Sequence, residues 1–210
     1  MTSTQPAAQT LLQVQDLSRS GLEPVRLELR RGECLAILGP SGSGKSLLLR
    51  AIADLDPNEG EAFLEGRARS AMSGPEWRRR IVYLSAEPAW WSDSVAEHMP
   101  DPESAAALLP PMNLPSDALS WSVKRLSTGE KQRLAVARAL SLKPAVLLAD
   151  EPTAALDQAT TTAVEAVLSE HMLEGMGLVL VTHAQAQAER VANRVLIMDS
   201  GRLREPCKPT

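Results

Sequence analysis

The chain has 210 residues, 44% of them hydrophobic, and a formal net charge of −4. That length suits one folded unit with a real core, and that hydrophobicity excludes global disorder. The acidic balance excludes a nucleic-acid polyanion as the main partner. The opening text "MTSTQPAAQT" has no basic stretch and no apolar core, so no signal peptide is expected. No uncharged apolar run approaches the roughly 20 residues of a membrane helix. Of the two cysteines, Cys34 sits in the apolar run "ECLAILG" and is expected in the core, while Cys207 lies in a polar tail. Neither has metal-ligand spacing, which fits a reduced, cytosolic setting.

In chain order, residues 1–10 read as a loose start. Leu11–Leu17 alternates apolar and polar residues, as a half-buried strand does, and Val25–Leu29 reads the same way. Cys34–Leu38 is continuously apolar, which predicts a strand covered on both faces. Gly39–Gly44 is a Gly/Ser loop, and Lys45–Ala53 has helical apolar spacing. Ile81–Leu84 is a short strand running into a loop broken at Pro88. From Glu87 to Trp121 prolines recur among short alanine-rich pieces. They predict a small helical lobe over about residues 87–142, inserted into an α/β body of about 11–86 and 143–204.

Ser127–Leu142 predicts a helix, with Ser127 as N-cap and Leu134, Val136, Ala137 and Leu140 on its apolar side. Strand Val146–Ala149, helix Gln158–Met172, strand Leu178–Thr182, helix Ala184–Ala192, strand Val195–Met198 and a turn at Ser200-Gly201 follow. Alternating strands and helices predict an α/β fold with a mostly parallel sheet.

"GPSGSGKS", Gly39–Ser46, fits the phosphate-loop pattern G-x-x-x-x-G-K-[ST] between a buried strand and a helix. Its glycines let successive backbone N–H groups converge on one anion, and the helix N-terminus adds partial positive charge. Gly39, Pro40, Ser41, Gly42, Ser43 and Gly44 form the cradle, Lys45 reaches the phosphates, and the Ser46 hydroxyl is a Mg²⁺ ligand. "AVLLADEP" ends an apolar strand in two carboxylates. Asp150 there suits a Mg²⁺ ligand, and Glu151 suits a base that polarises a water aimed at a γ-phosphate.

"RLSTGEKQRLAVARAL", Arg125–Leu140, resembles the signature segment of ATP-binding cassette (ABC) ATPases, which opens a helix with Leu-Ser-Gly-Gly-Gln. The remaining motifs follow in family order, and the resemblance spans roughly Leu11 to Arg204. It implies a P-loop NTPase fold: a mostly parallel sheet with flanking helices, N-terminal antiparallel strands and an inserted helical lobe. It also implies that Ser127, Thr128, Gly129 and Glu130 act on ATP held by a partner subunit. Thr128 replaces a glycine and Glu130 a glutamine, which adds a negative charge. "TAALD" resembles the D-loop, ending in Asp157, and "LVTHA" places His183 as the switch histidine that contacts the γ-phosphate. Leu47 stands where a threonine often contacts the α-phosphate.

Two positions depart from the family. The Q-loop glutamine, a Mg²⁺ contact, falls on Ala86. Its neighbour Glu87 either substitutes or is a solvated loop residue. The aromatic residue that stacks on adenine falls near Arg19, whose guanidinium stacks in its place unless backbone and apolar contacts hold the base. Of the four tryptophans, Trp90 and Trp91 follow the Q-loop position. They suit either the floor of a docking groove or the core of the lobe.

The resemblance implies an ATP-binding and hydrolysing subunit of an ABC transporter, using ATP and Mg²⁺, working as a homodimer on a separate membrane permease. Such a protein is cytoplasmic and peripheral on the inner face of the membrane. The alternatives are a soluble non-transport cassette ATPase and a non-hydrolysing regulatory module. Because the remaining machinery is complete, a competent ATPase is expected, slowed or differently coupled by Ala86.

Overall fold

The computed structural model describes residues 9–206. Cys207 and residues 1–8 of the loose start lie outside the described residues. Two sheets carry the architecture. Strands β1 (Thr10–Arg19), β2 (Leu22–Arg30), β4 (Glu59–Leu64) and β5 (Arg67–Ala68) form an antiparallel sheet in the order β2-β1-β4-β5. Strands β3 (Cys34–Leu38), β6 (Ile81–Leu84), β7 (Val146–Asp150), β8 (Gly177–Val181), β9 (Arg194–Asp199) and β10 (Arg202–Arg204) form the second, in the order β10-β9-β3-β8-β7-β6. Only β10 runs antiparallel there.

Of the five parallel strands, β3, β6, β7 and β8 are almost wholly apolar because both faces are covered. Alternation sorts their side chains. Cys34, Leu147, Ala149, Leu178 and Leu180 join one buried cluster, while Leu35, Ile37, Leu148, Val179 and Val181 join the other. Helix α1 (Lys45–Ile52) lies in the second cluster with the antiparallel sheet, and its Leu48, Leu49, Ala51 and Ile52 are fully buried. The phosphate loop is thus anchored at both ends in core. Burial also pushes the Cys34 thiol up to about 12, which leaves it an inert core group.

The stretch between α1 and β6 gave no sequence signal, yet it holds β4, β5 and helix α2 (Gly74–Arg80). Ser73 caps α2 by accepting from Glu76 N–H, and Pro75 sits in its first turn. Trp77 on α2 is fully buried, with its indole Nε1–H donating to the Ile52 carbonyl at 2.8 Å.

The proline-rich segment is built mostly of 3₁₀ turns, at 96–98, 110–112, 118–120 and 123–125. Its one α-helix before the signature is α3 (Pro102–Leu108), capped by Asp101. Prolines forbid longer helix there by removing backbone donors. Helix α4 (Thr128–Ser141) then runs between this segment and the sheet. Its apolar side is wider than the spacing predicted: Ala135 and Ala139 are buried too, with Gln132 and Ser141. Helices α5 (Gln158–Leu173) and α6 (Gln185–Val191) complete the chain's layers.

Candidate active site

The phosphate loop owes its shape to glycine at two points. Gly44 is the N-cap of α1 at φ +106°, a conformation that L side chains rarely adopt. A Cβ on Gly39 would lie 2.1 Å from the Met198 carbonyl oxygen, so only glycine lets the loop pass β9. The loop is braced from the β9–β10 turn, where Gly201 N–H donates to the Ser43 carbonyl at 2.8 Å.

Lys45 is buried, and its Nζ donates to the Gly39 and Pro40 carbonyls, each at 2.8 Å. Burial draws its ammonium below the usual lysine range, opposed by the charges of Glu151 and Asp150. Asp150 ends β7 and Glu151 follows it, and β7 lies beside β8, which leads to His183. His183 Nε2 is 2.6 Å from Glu151 Oε1. Glu151 adopts φ +50°, a left-handed backbone on a non-glycine residue, held by its N–H donating to the Val181 carbonyl at 2.9 Å. A cleft of about 190 Å³ brings together Ser41, Gly42, Gly44, Lys45, Ser46, Leu47, Glu151 and His183.

The residues present fit a triphosphate and a hard cation. The Ser43 hydroxyl is buried in the loop with no protein partner. The α1 N-terminus has no acidic residue in its first turn to occupy its N–H groups. The hydroxyl of Ser46 and the buried carboxylate of Asp150 are oxygen ligands of the kind Mg²⁺ takes. Among the described residues no group of three or more His, Cys, Asp or Glu side chains gathers as a metal cage.

One partner escaped the sequence reading. Tyr83 on β6 donates its hydroxyl to Asp150 Oδ2 at 3.0 Å, and burial beside that carboxylate pushes its phenol up to about 12. The signal lay in strand order: β6 and β7 are parallel neighbours, and Tyr83 is the chain's only tyrosine.

The other sequence-predicted residues lie outside this cleft. Ser127 and Glu130 form a complete capping box at the start of α4. Ser127 N–H and Oγ–H both donate to Glu130 Oε2 at 2.8 Å, and these bonds, the backbone one foremost, hold the Glu130 carboxyl below the usual range. Thr128 follows as the first residue of α4. Gly129 faces the D-loop, since a Cβ on it would lie 3.2 Å from the Ala155 carbonyl oxygen. Asp157 caps α5 through Thr160 N–H at 2.9 Å.

Ala86 and Glu87 are exposed and do not line the cleft with Lys45. Arg19 is not a free guanidinium: it pairs with Asp56, which also takes two hydrogen bonds from Arg50 at 2.7 and 2.8 Å.

The tryptophans divide. Trp90 packs on the lobe core, and Trp91 is 70% exposed. Trp91 lines a groove of about 540 Å³ between β6 and α4, together with Pro88, Met99, Ala135 and Arg138. Its position is fixed by buried His98, whose Nε2 accepts from Trp91 and Ser92 N–H at 2.9 and 3.1 Å. Nδ1 therefore carries the proton and donates to the Ser94 carbonyl at 2.9 Å.

The family described as ABC transporter matches residues 22–154. A methionine import ATP-binding protein, MetN of Mesorhizobium japonicum, is 36% identical, over 95% of this chain and 60% of that protein. The glutamine transport ATP-binding protein GlnQ of Escherichia coli is 33% identical, over 90% of this chain and 85% of that protein. A solved ATP-binding subunit of an ABC transporter superposes with a TM-score of 0.82 at 30% identity, covering 92% of this chain and 88% of that one. A dimeric ATP-binding cassette in a post-hydrolysis state, bound to ADP and Pi, superposes at 0.81 with 25% identity, covering 95% and 100%. The chain spans about 60% of the length of the methionine-import relatives.

Proposed function

The chain belongs to the ABC transporter family, and from that membership we propose that it is an ATP-binding and hydrolysing subunit that powers transport through a separate membrane permease. The observation that carries the catalytic part is the 2.6 Å pairing of Glu151 with His183 at the rim of the phosphate-loop cleft. In this reading Gly39–Ser46 with Leu47 cradle the phosphates of ATP, and Lys45 turns from its carbonyl partners to the β- and γ-oxygens. Ser46 and Asp150 would hold Mg²⁺, with Tyr83 orienting Asp150. When bound, that cation neutralises charge on the phosphate oxygens. Glu151 accepts the proton of the attacking water, and His183 holds Glu151 in place and faces the γ-phosphate. The departures at Ala86 and near Arg19 remove no group from this set.

Ser127, Thr128, Gly129 and Glu130 lie outside the cleft, which suits a second copy's nucleotide as their target. The dimeric state of the ADP-bound relative supports that arrangement. The Trp91 groove is the proposed seat of the permease. Among the described residues no helix is long and apolar enough to cross a membrane, and the reading places the protein on the inner membrane face through its permease. The relatives, named for import or transport, do not favour a non-transport ATPase or a regulatory module.

The test of this reading is ATP-dependent dimerisation. Glu151→Gln, which retains the binding groups and lacks the base, is expected to elute as a dimer with ATP and as a monomer with ADP. A monomer under both conditions, with ATP bound, would overturn the shared-site arrangement.

A further inference from the structure

A buried polar cluster lies behind the catalytic pair. Gln187 on α6 is 4% exposed and Glu165 on α5 is 8% exposed. Gln187 Nε2 donates to Thr153 Oγ1 at 2.8 Å and to Glu165 Oε1 at 3.0 Å. The carboxylate offers only acceptors, so it fixes which end of the Gln187 amide faces Thr153. Arg190, one turn along α6, completes the Glu165 shell from Nε and Nη2 at 3.2 and 2.8 Å.

The connectivity gives this cluster a purpose beyond filling space. Thr153 is two residues after Glu151, and Gln187 is four residues after His183. Glu151 O accepts from Ala154 N–H at 3.3 Å, so the turn carrying Thr153 is tied to the base. On the other side Ala184 N–H donates to Thr182 Oγ1 at 3.1 Å, and Gln187 N–H donates to the Ala184 carbonyl at 3.0 Å. Two side-chain contacts therefore close one ring: Glu151 with His183 at the front, and Thr153 with Gln187 at the back. The back contact adds a buried side-chain tie between the loop after β7 and the loop after β8, beside the Glu151 N–H bond to the Val181 carbonyl and the Glu151–His183 contact. Glu151 also holds a left-handed backbone, which persists only where surroundings over-determine it.

We propose that Gln187, oriented by Glu165, is a positioning residue that sets the separation of Glu151 and His183 by pinning Thr153. The proposal rests on the reading of Glu151 and His183 as the hydrolytic pair. Neither Gln187 nor Thr153 lines the cleft, so both act on turnover and not on ATP affinity.

The test compares Thr153→Val, Thr153→Ser and Gln187→Leu in the full chain. Thr153→Val keeps the shape and removes the acceptor, whereas Thr153→Ser keeps it. The expected result is a fall in kcat of at least tenfold for Thr153→Val and Gln187→Leu, with KM for ATP within twofold of wild type. Thr153→Ser stays within twofold of wild type in both. In nucleotide-free protein the two damaged variants also show faster amide exchange at 151–154 and 182–185 together. Unchanged exchange, or a Thr153→Ser as slow as Thr153→Val, would overturn the proposal. If exchange responds as expected while Glu151→Gln hydrolyses ATP like wild type, the pin stands and the assignment of Glu151 as base is what fails.

Discussion

Lys45 Nζ sits 2.8 Å from the carbonyl oxygens of both Gly39 and Pro40, inside the loop whose N–H groups are to hold phosphate. The ammonium is partly stripped of water, and the charges of Glu151 and Asp150 act on it. A phosphate offers it stronger, charge-assisted partners than two carbonyls. Lys45→Ala removes one such contact, worth about 1.5–3 kcal/mol. ATP affinity, followed by calorimetry, is expected to fall about ten- to a hundredfold. Affinity within twofold of wild type would remove Lys45 from the site.

The two neighbours Trp90 and Trp91 predict opposite phenotypes. Trp91 is 70% exposed, with its ring 4.3 Å from the His98 ring and 5.3 Å from the Arg138 guanidinium. Trp91→Ala is therefore expected to change stability by no more than about 0.5 kcal/mol. As an interface anchor it is expected to weaken association with the permease by about 2 kcal/mol or more, roughly thirtyfold. A pull-down from membranes containing the permease reads this directly. Unchanged association would return the groove to plain surface.

Asp56 ties the end of β1 to α1. An ordinary aspartate titrates near about 4. Here the Arg50 hydrogen bond first, and the Arg19 bond with it, hold the carboxyl at about 2. A depressed carboxyl stabilises the fold above its unfolded value and loses that contribution as pH falls toward its folded value. Wild type is therefore expected to lose denaturant resistance between about pH 4 and pH 2 more steeply than Asp56→Asn. Parallel acid limbs in the two proteins would show that the Arg19–Asp56–Arg50 cluster does not hold the fold.

The parts of this site that were legible in the sequence are those written locally. The phosphate loop needs glycine, lysine and serine within one turn of chain, and Ser127 with Glu130 spells a capping box at fixed spacing. What was not legible depends on distant pairing. "EGEAFL" carries two glutamates and a glycine, and it becomes β4 because Leu12, Val14 and Gln15 of β1 pair with Leu64, Ala62 and Glu61. Helix α2 is too short to show periodicity, and it is fixed by the burial of Trp77. Tyr83 and Asp150 are 67 residues apart in sequence and meet only because β6 is parallel to β7. The division between Trp90 and Trp91 depends on tertiary packing: Trp90 lies against the lobe core, while the Trp91 and Ser92 N–H groups donate to buried His98. Arg19 fits the position of a base-stacking group by sequence order, whereas its pairing with Asp56, 37 residues away, was not legible there.

The measurement that bears most directly on the central claim is Mg²⁺-dependent ATP hydrolysis by the purified protein beside Glu151→Gln at equal concentration. The Glu151–His183 pair predicts turnover by wild type, without any glutamine at position 86, and loss of at least about a hundredfold in Glu151→Gln with ATP still bound. Equal rates in the two proteins, or no turnover by wild type that binds ATP and Mg²⁺ as a dimer, would contradict it.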